Sequence, residues 1–213
     1  MSPKSPHKRR PRTTSAAVSR GGQGAPGTVR IIAGRLRGSR LPVHESSGLR
    51  PTSDRVRETL FNWLQRELSD SVCLDLYAGS GALGFEAASR GARSVLMVER
   101  DRQLAASLAD TAVRIGADAV HVCCDAAEQV VSSAGDASFD ILFLDPPFAD
   151  GVPDSLWAAV TRIAKPEAWM YVECAAERLS TPPDCWRLHR EIRTREVVAR
   201  LFHRSAEIGH REL

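Results

Sequence analysis

The chain has 213 residues, 43% of them hydrophobic, and a formal net charge of +3. These values fit one globular domain with a full core and a small extension. No apolar run approaches the ~18 residues of a membrane span, and the basic N-terminus lacks the apolar segment of a secretory signal, so no membrane role is expected.

The charge is unevenly placed. Residues 1–28 hold six Lys/Arg and no acid; residues 29–58 hold seven Arg against three acids. The first 58 residues therefore carry +10 and the remainder −7. A basic arm on an acidic body fits a polyanionic substrate gripped mainly from one side. Pro, Ser, Gly and Arg dominate residues 1–28, which reads as a basic tail that is disordered when free. An acid-free, Arg-bearing N-terminus can imitate a transit peptide, but it is also the composition of an RNA-contacting tail. The five cysteines, Cys73, Cys123, Cys124, Cys174 and Cys185, form no CxxC pair. They read as reduced, buried thiols of a cytoplasmic protein, with no zinc or other metal site.

Residues 29–43 alternate apolar and basic residues around Gly34 and Gly38, which predicts a β-hairpin displaying Arg35, Arg37 and Arg40 as candidate phosphate contacts. Pro51 biases Arg50 away from helical geometry, Thr52 or Ser53 can cap, and Asp54 suits a first turn. A helix follows, with Val56, Leu60, Phe61, Leu64 and Leu68 on one face. Buried strands are expected at Val72–Tyr77, Ser94–Glu99, Ala119–Cys123, Phe139–Leu144 and Ala168–Cys174. Helices are expected at Ala82–Arg90, Arg102–Gly116 and Ser155–Lys165. Trp186–Ile192 and Glu196–His203 read as a terminal antiparallel hairpin. Strands alternating with helices imply an α/β fold, a mostly parallel sheet covered on both faces, with ligands at the carboxyl ends of the strands. The expected division is a tail over 1–28, an RNA-contacting hairpin and helix over 29–70, and a cofactor-binding domain over 71–213.

Asp75, Gly79, Glu99, Asp125 and Asp145 all fall at or just past predicted strand ends. Gly79, Gly81 and Gly84 match GxGxxG, with Glu99 closing the next strand, a pattern that also serves dinucleotides. Asp75, however, would set a negative charge beside a pyrophosphate. It suits an ammonium instead. Glu99 suits ribose hydroxyls, Asp125 an adenine amino group, and the Ala126 N–H the adenine ring. Amino acid, ribose and adenine together imply S-adenosyl-L-methionine, with Tyr77, Ser80 and Arg100 completing the expected cofactor set. Each acid taken singly could instead cap a turn or a helix. Asp145-Pro146-Pro147-Phe148 ends the fourth buried strand. Its prolines stiffen the turn and remove two backbone donors. The Asp145 carboxylate and the Pro146 carbonyl can each accept a hydrogen of a planar amino group, and Phe148 can stack on a base.

The segments RIIAGRLRGSRL, RPTSDRVRETLFNWL, LDLYAGSGALGFEAASRGA, VER and LDPPF, in this order over roughly Val29 to Arg204, resemble the RsmD-type methyltransferases. The resemblance implies a Rossmann-like class I S-adenosylmethionine-dependent methyltransferase with a seven-stranded sheet. It implies methylation of the N2 amino group of one guanine in bacterial 16S ribosomal RNA, with the 30S subunit or an assembly intermediate as partner. It also implies that the segment from Arg50 to Arg57, including Arg55, closes over the methionine end of the cofactor and the RNA. A monomer acting in the cytoplasm is the expected form. The long basic tail before Val29 departs from what every member would carry. The nearest rival is a DNA adenine- or cytosine-amino methyltransferase, which DPPF also permits. An NAD(P)-dependent oxidoreductase would leave DPPF without a role, and a non-catalytic RNA-binding protein would not bind the cofactor.

Overall fold

The computed structural model describes residues 27–43, 53–147, 152–177, 179, 181–195 and 197–205. Arg50, Phe148 and residues 1–26 of the predicted tail lie outside the described residues; Gly27 and Thr28, assigned to that tail, are described, and Thr28 opens a strand paired with Pro42.

Nine strands and five helices are described. A two-stranded antiparallel ribbon pairs β1 (Thr28–Arg30) with β2 (Arg40–Pro42). Helix α1 (Asp54–Trp63) starts where Ser53 Oγ accepts the Val56 N–H at 3.3 Å, which satisfies one orphan donor of the first turn. The helix stops at Trp63, one turn before the expected apolar stripe ends. Leu64 and Leu68 are nevertheless buried with Val56, Leu60 and Phe61. Helical spacing and burial therefore agree only over the first part of that segment.

The main sheet is built from β3 (Val72–Asp75), β4 (Ser94–Val98), β5 (Val120–Cys123), β6 (Phe139–Leu144), β7 (Ala164–Ala175), β8 (Trp186–Arg193) and β9 (Val197–Arg204). Their spatial order is β5-β4-β3-β6-β7-β9-β8. The first five strands of that order are parallel, and β9 runs antiparallel to both β7 and β8. This is the mostly parallel, seven-stranded Rossmann-like sheet expected, with its terminal antiparallel hairpin. The strand order reverses between β3 and β6, which opens a crevice at their carboxyl ends.

Helices α2 (Ala82–Ser89), α3 (Arg102–Ile115), α4 (Ala127–Ser133) and α5 (Asp154–Ile163) connect the strands. Alternation along the buried strands divides the apolar side chains between two faces. One face carries Val95, Met97, Ile141, Phe143 and Tyr171 beneath α1, α2 and the β1–β2 ribbon. The other carries Leu74, Leu142, Leu144 and Val172 against Val130 of α4 and Leu156, Trp157 and Val160 of α5. Val29, Ile31, Leu41, Leu60, Phe61 and Leu68 thus share the core of the sheet. Arg57 on α1, fully buried, donates to the Arg30 carbonyl at 2.9 Å and to Asp54 at 2.7 Å, tying the helix to β1.

The cysteines divide differently from expectation. Cys73 and Cys174 are buried, Cys123 and Cys185 are half-buried, and Cys124 is exposed. Cys124 follows the end of β5, where the chain has left the sheet. Burial pushes the Cys73 thiol up to about 12.

Candidate active site

The carboxyl ends of β3, β4, β5 and β6 surround a cavity of about 480 Å³, within the range of small-ligand sites. Tyr77, Gly79, Glu99, Arg100, Asp125, Ala126, Asp145, Pro146 and Pro147, all singled out in the sequence, line it. Leu76, Val98, Asp101, Leu104, Ala127, Glu128 and Pro153 line it too and were not foreseen. Asp101 was legible in principle. It caps α3 by accepting the Gln103 and Leu104 N–H groups at 2.7 and 3.0 Å, so a helix-start signal stood two residues after Glu99.

Glu99 holds the floor together. One carboxylate oxygen accepts the Gly79 N–H at 3.0 Å and the other the Asp101 N–H at 2.9 Å. Each oxygen keeps a second lone pair for a hydroxyl donor. Asp125 accepts the Ala126 N–H at 2.8 Å. The expected use of that N–H toward an adenine ring therefore competes with the neighbouring carboxylate.

Ser80 and Gly81 do not reach the cavity wall. Gly81 adopts φ +76 at the start of α2, and a Cβ there would come within 2.7 Å of Phe85 and Leu108. Its smallness serves helix packing. Gly84 similarly sits over Met97 and Asp75, where a Cβ would meet Met97 Cε at 2.4 Å and Asp75 Oδ2 at 3.1 Å.

Asp75 lies beneath the loop, 1% exposed. Its Oδ2 accepts the Gly84 N–H at 2.9 Å, and its Oδ1 is buried with no hydrogen-bond partner. Burial raises its carboxyl from 3.8 to about 7, against the lowering effect of the Gly84 N–H, and the Glu99 charge adds to the rise. A buried carboxylate oxygen without a donor costs free energy unless a cation or a proton meets it. The acceptors lining the cavity thus fit hydroxyls at Glu99 and an exocyclic amine at Asp125, whereas Asp75, expected to meet an ammonium, is buried behind the wall and does not line the cavity.

Beside Asp145 stands a carboxylate that sequence reasoning missed. The β6–β7 register pairs Leu144 with Val172, so Glu173 is the next residue along β7 as Asp145 is along β6. Glu173 is buried and accepts the Tyr171 hydroxyl at 2.6 Å. Burial, then the Glu173 and Asp145 charges, push the Tyr171 hydroxyl well above its ordinary value. The alternation Tyr171-Val172-Glu173 at a strand end was the available signal; its partner was not visible in the sequence.

The basic residues of the ribbon lie elsewhere. Arg35 donates through its backbone N–H to the Ser89 carbonyl and through its side chain to the Gly116 carbonyl, both at 2.8 Å. Ser89 ends α2 and Gly116 caps α3, so both mark the amino ends of the parallel strands. The turn bearing Arg35 is therefore at the end of the sheet away from Asp145. Arg37 and Arg40 are exposed on the same ribbon, and Arg55 is exposed on α1. None of the four lines the cavity.

Among known proteins, the family model described as conserved hypothetical protein 95 matches residues 29–203. The Escherichia coli K12 protein named ribosomal RNA small subunit methyltransferase D is 42% identical over 190 residues, covering 85% of this chain and 92% of that one. Its Haemophilus influenzae namesake is 40% identical over 188 residues, covering 84% and 95%. The solved structure of the Escherichia coli protein yhhF, described as a methyltransferase, superposes with a TM-score of 0.76 at 40% identity. It covers 85% of this chain and 100% of its own. A Haemophilus influenzae methylase structure gives 0.72 at 36% identity, covering 84% and 99%.

Proposed function

The chain belongs to the ribosomal RNA small subunit methyltransferase D family, and from that membership we propose that it methylates the N2 amino group of a guanine in 16S ribosomal RNA, drawing the methyl from S-adenosylmethionine. The observation that carries the reading is that Asp145, Pro146 and Pro147 line the same cavity as Glu99 and Asp125. An amino-gripping turn thereby opens onto a nucleoside-fitting pocket.

When bound, the cofactor supplies a methyl group made electrophilic by its sulfonium. Asp75, behind the wall, draws the ammonium, Glu99 holds the ribose hydroxyls and Asp125 the adenine amine. Tyr77, Gly79 and Arg100 complete the wall. An exocyclic amine is a weak nucleophile because its lone pair is delocalised into the base. The Asp145 carboxylate and the Pro146 carbonyl accept its two hydrogens, orienting the lone pair toward the methyl. Positioning of this kind supplies much of the barrier reduction. In the transfer the nitrogen would gain the methyl as the methyl–sulfur bond breaks, leaving a neutral thioether, and would lose one proton to Asp145 or to water. Phe148 stacks on the guanine once it leaves its own stack. Arg37, Arg40, Arg50 and Arg55 contact RNA phosphates, whereas Arg35 is already engaged in capping α3. The protein acts as a monomer in the cytoplasm on the 30S subunit or its precursor. No helix among the described residues is long and apolar enough to cross a membrane.

The test is transfer of tritiated methyl to unmodified 30S subunits, to naked 16S RNA and to duplex DNA, followed by digestion to nucleosides. Label in N2-methylguanosine is expected. Label in N6-methyladenine or N4-methylcytosine would keep the enzyme class and overturn the substrate.

A further inference from the structure

The acidic body of this chain is interrupted by a second basic segment. Residues 59–185 hold nine Lys/Arg against nineteen acids, whereas residues 186–204 hold six Arg against two acids. The second stretch folds as the β8–β9 hairpin, with β8 at the open edge of the sheet. Because β9 runs antiparallel to both neighbours, β8 points the same way as β7. Its carboxyl end and the following turn therefore face the same side as Asp145. The register makes the level explicit: Ala199 pairs with Glu173 on one side and Ile192 on the other, and Glu173 is level with Asp145. Arg193 and Arg195 lie one and three residues farther along the chain. Three inter-strand spacings of about 4.8 Å separate β8 from β6, or about 14 Å.

Arg190, Arg193 and Arg195 are exposed. Arg193 lies 3.5 Å from Glu191, which is held more closely by Arg200 at 2.8 Å. The side chains of Arg190 and Arg195 make no hydrogen bond or ion pair with the described residues, while the Arg190 backbone belongs to the β8–β9 ladder. Arg190 pairs with Leu201 at the level of Tyr171, two residues short of Glu173, whereas Arg193 and Arg195 lie beyond the Glu173 level; exposed guanidinium groups there suit a phosphate backbone.

We propose that the turn end of the β8–β9 hairpin, through Arg190, Arg193 and Arg195, binds the phosphates of the RNA strand flanking the methylated base. This rests on the RNA methyltransferase reading. It places an RNA contact on the carboxyl-terminal flank of the active site, whereas the ribbon turn bearing Arg35 is at the opposite end of the strands. The competing account is that charge on β8 only blunts an open sheet edge against pairing with another chain.

The experiment compares two doubly substituted proteins of equal charge, Arg190→Gln with Arg195→Gln, and Arg66→Gln with Arg93→Gln. The second pair is exposed on segments flanking the amino end of β3 and β4. Affinity for 16S RNA is measured across a salt series, with S-adenosylmethionine affinity and sedimentation as controls. Two lost phosphate contacts should lower the salt slope by about 1.4, and weaken binding about tenfold at 0.15 M salt if the curves converge near 1 M. The hairpin variant should show this change with cofactor affinity intact, and the control pair should retain the wild-type slope. Equal behaviour of the two pairs, or self-association of the hairpin variant with an unchanged salt slope, overturns the proposal. Failure of the wild-type protein to methylate any RNA would overturn the functional reading instead.

Discussion

Replacing Asp75 with Asn tests the electrostatics beneath the cofactor loop. The wild-type carboxyl is raised from 3.8 to about 7 in the folded protein. Between those values the folded chain holds a proton that the unfolded chain has released. Stability therefore falls as pH rises through this window, by about 1.4 kcal/mol per unit, and levels off above pH 7. From pH 5 to pH 8 the loss amounts to about 3 kcal/mol. Asn cannot titrate, and its carbonyl can still accept the Gly84 N–H. The fixed cost of burying its amide cancels when the same variant is compared across pH. The stability of Asp75→Asn relative to wild type should thus rise by about 3 kcal/mol between pH 5 and pH 8. Urea unfolding followed by tryptophan fluorescence at each pH reads this directly. Curves for the two proteins that stay parallel would refute the argument, because Asp75 would then already be ionised at pH 5. Calorimetry adds a second reading. Pairing with an ammonium should release up to about half a proton near pH 7 in the wild type and none in the variant. Cofactor affinity in the variant should drop by one to two orders of magnitude, the size of a charged hydrogen bond of about 1.5–3 kcal/mol.

Asp145→Ala should reduce the single-turnover methylation rate by orders of magnitude while calorimetry finds cofactor binding nearly unchanged; a normal rate would remove Asp145 from the reaction. Gly34→Ala should destabilise the protein by about 2–4 kcal/mol in denaturant unfolding. Gly34 adopts φ +82, and a Cβ there would fall 1.9 Å from the Ser89 carbonyl oxygen. Wild-type stability in that variant would mean the ribbon is not docked on α2. Tyr171→Phe deprives buried Glu173 of its 2.6 Å donor, with an expected cost of about 1–3 kcal/mol; a neutral result would mean water replaces the hydroxyl.

Much of this protein was legible along the chain because its signals are local. The apolar runs, the glycine loop from Asp75 to Gly84 and the proline pair after Asp145 declare strands, a close turn and a stiff turn through their own covalent geometry. A parallel sheet then places every strand-end acid on one side, so Asp75, Glu99, Asp125 and Asp145 could be grouped before any contact was known. What only the tertiary structure decided concerns partners distant in sequence. Arg35 looked like a free cation until Gly116, 81 residues away, was found accepting from it. Glu173 gained meaning only when the β6–β7 register set it beside Asp145. The arginines of β8 were hidden in the net charge of the body until two antiparallel pairings turned their strand toward the catalytic side. Local geometry follows from each residue and its neighbours. Pairing across strands depends on how the whole sheet buries its two apolar faces, and no single segment encodes that.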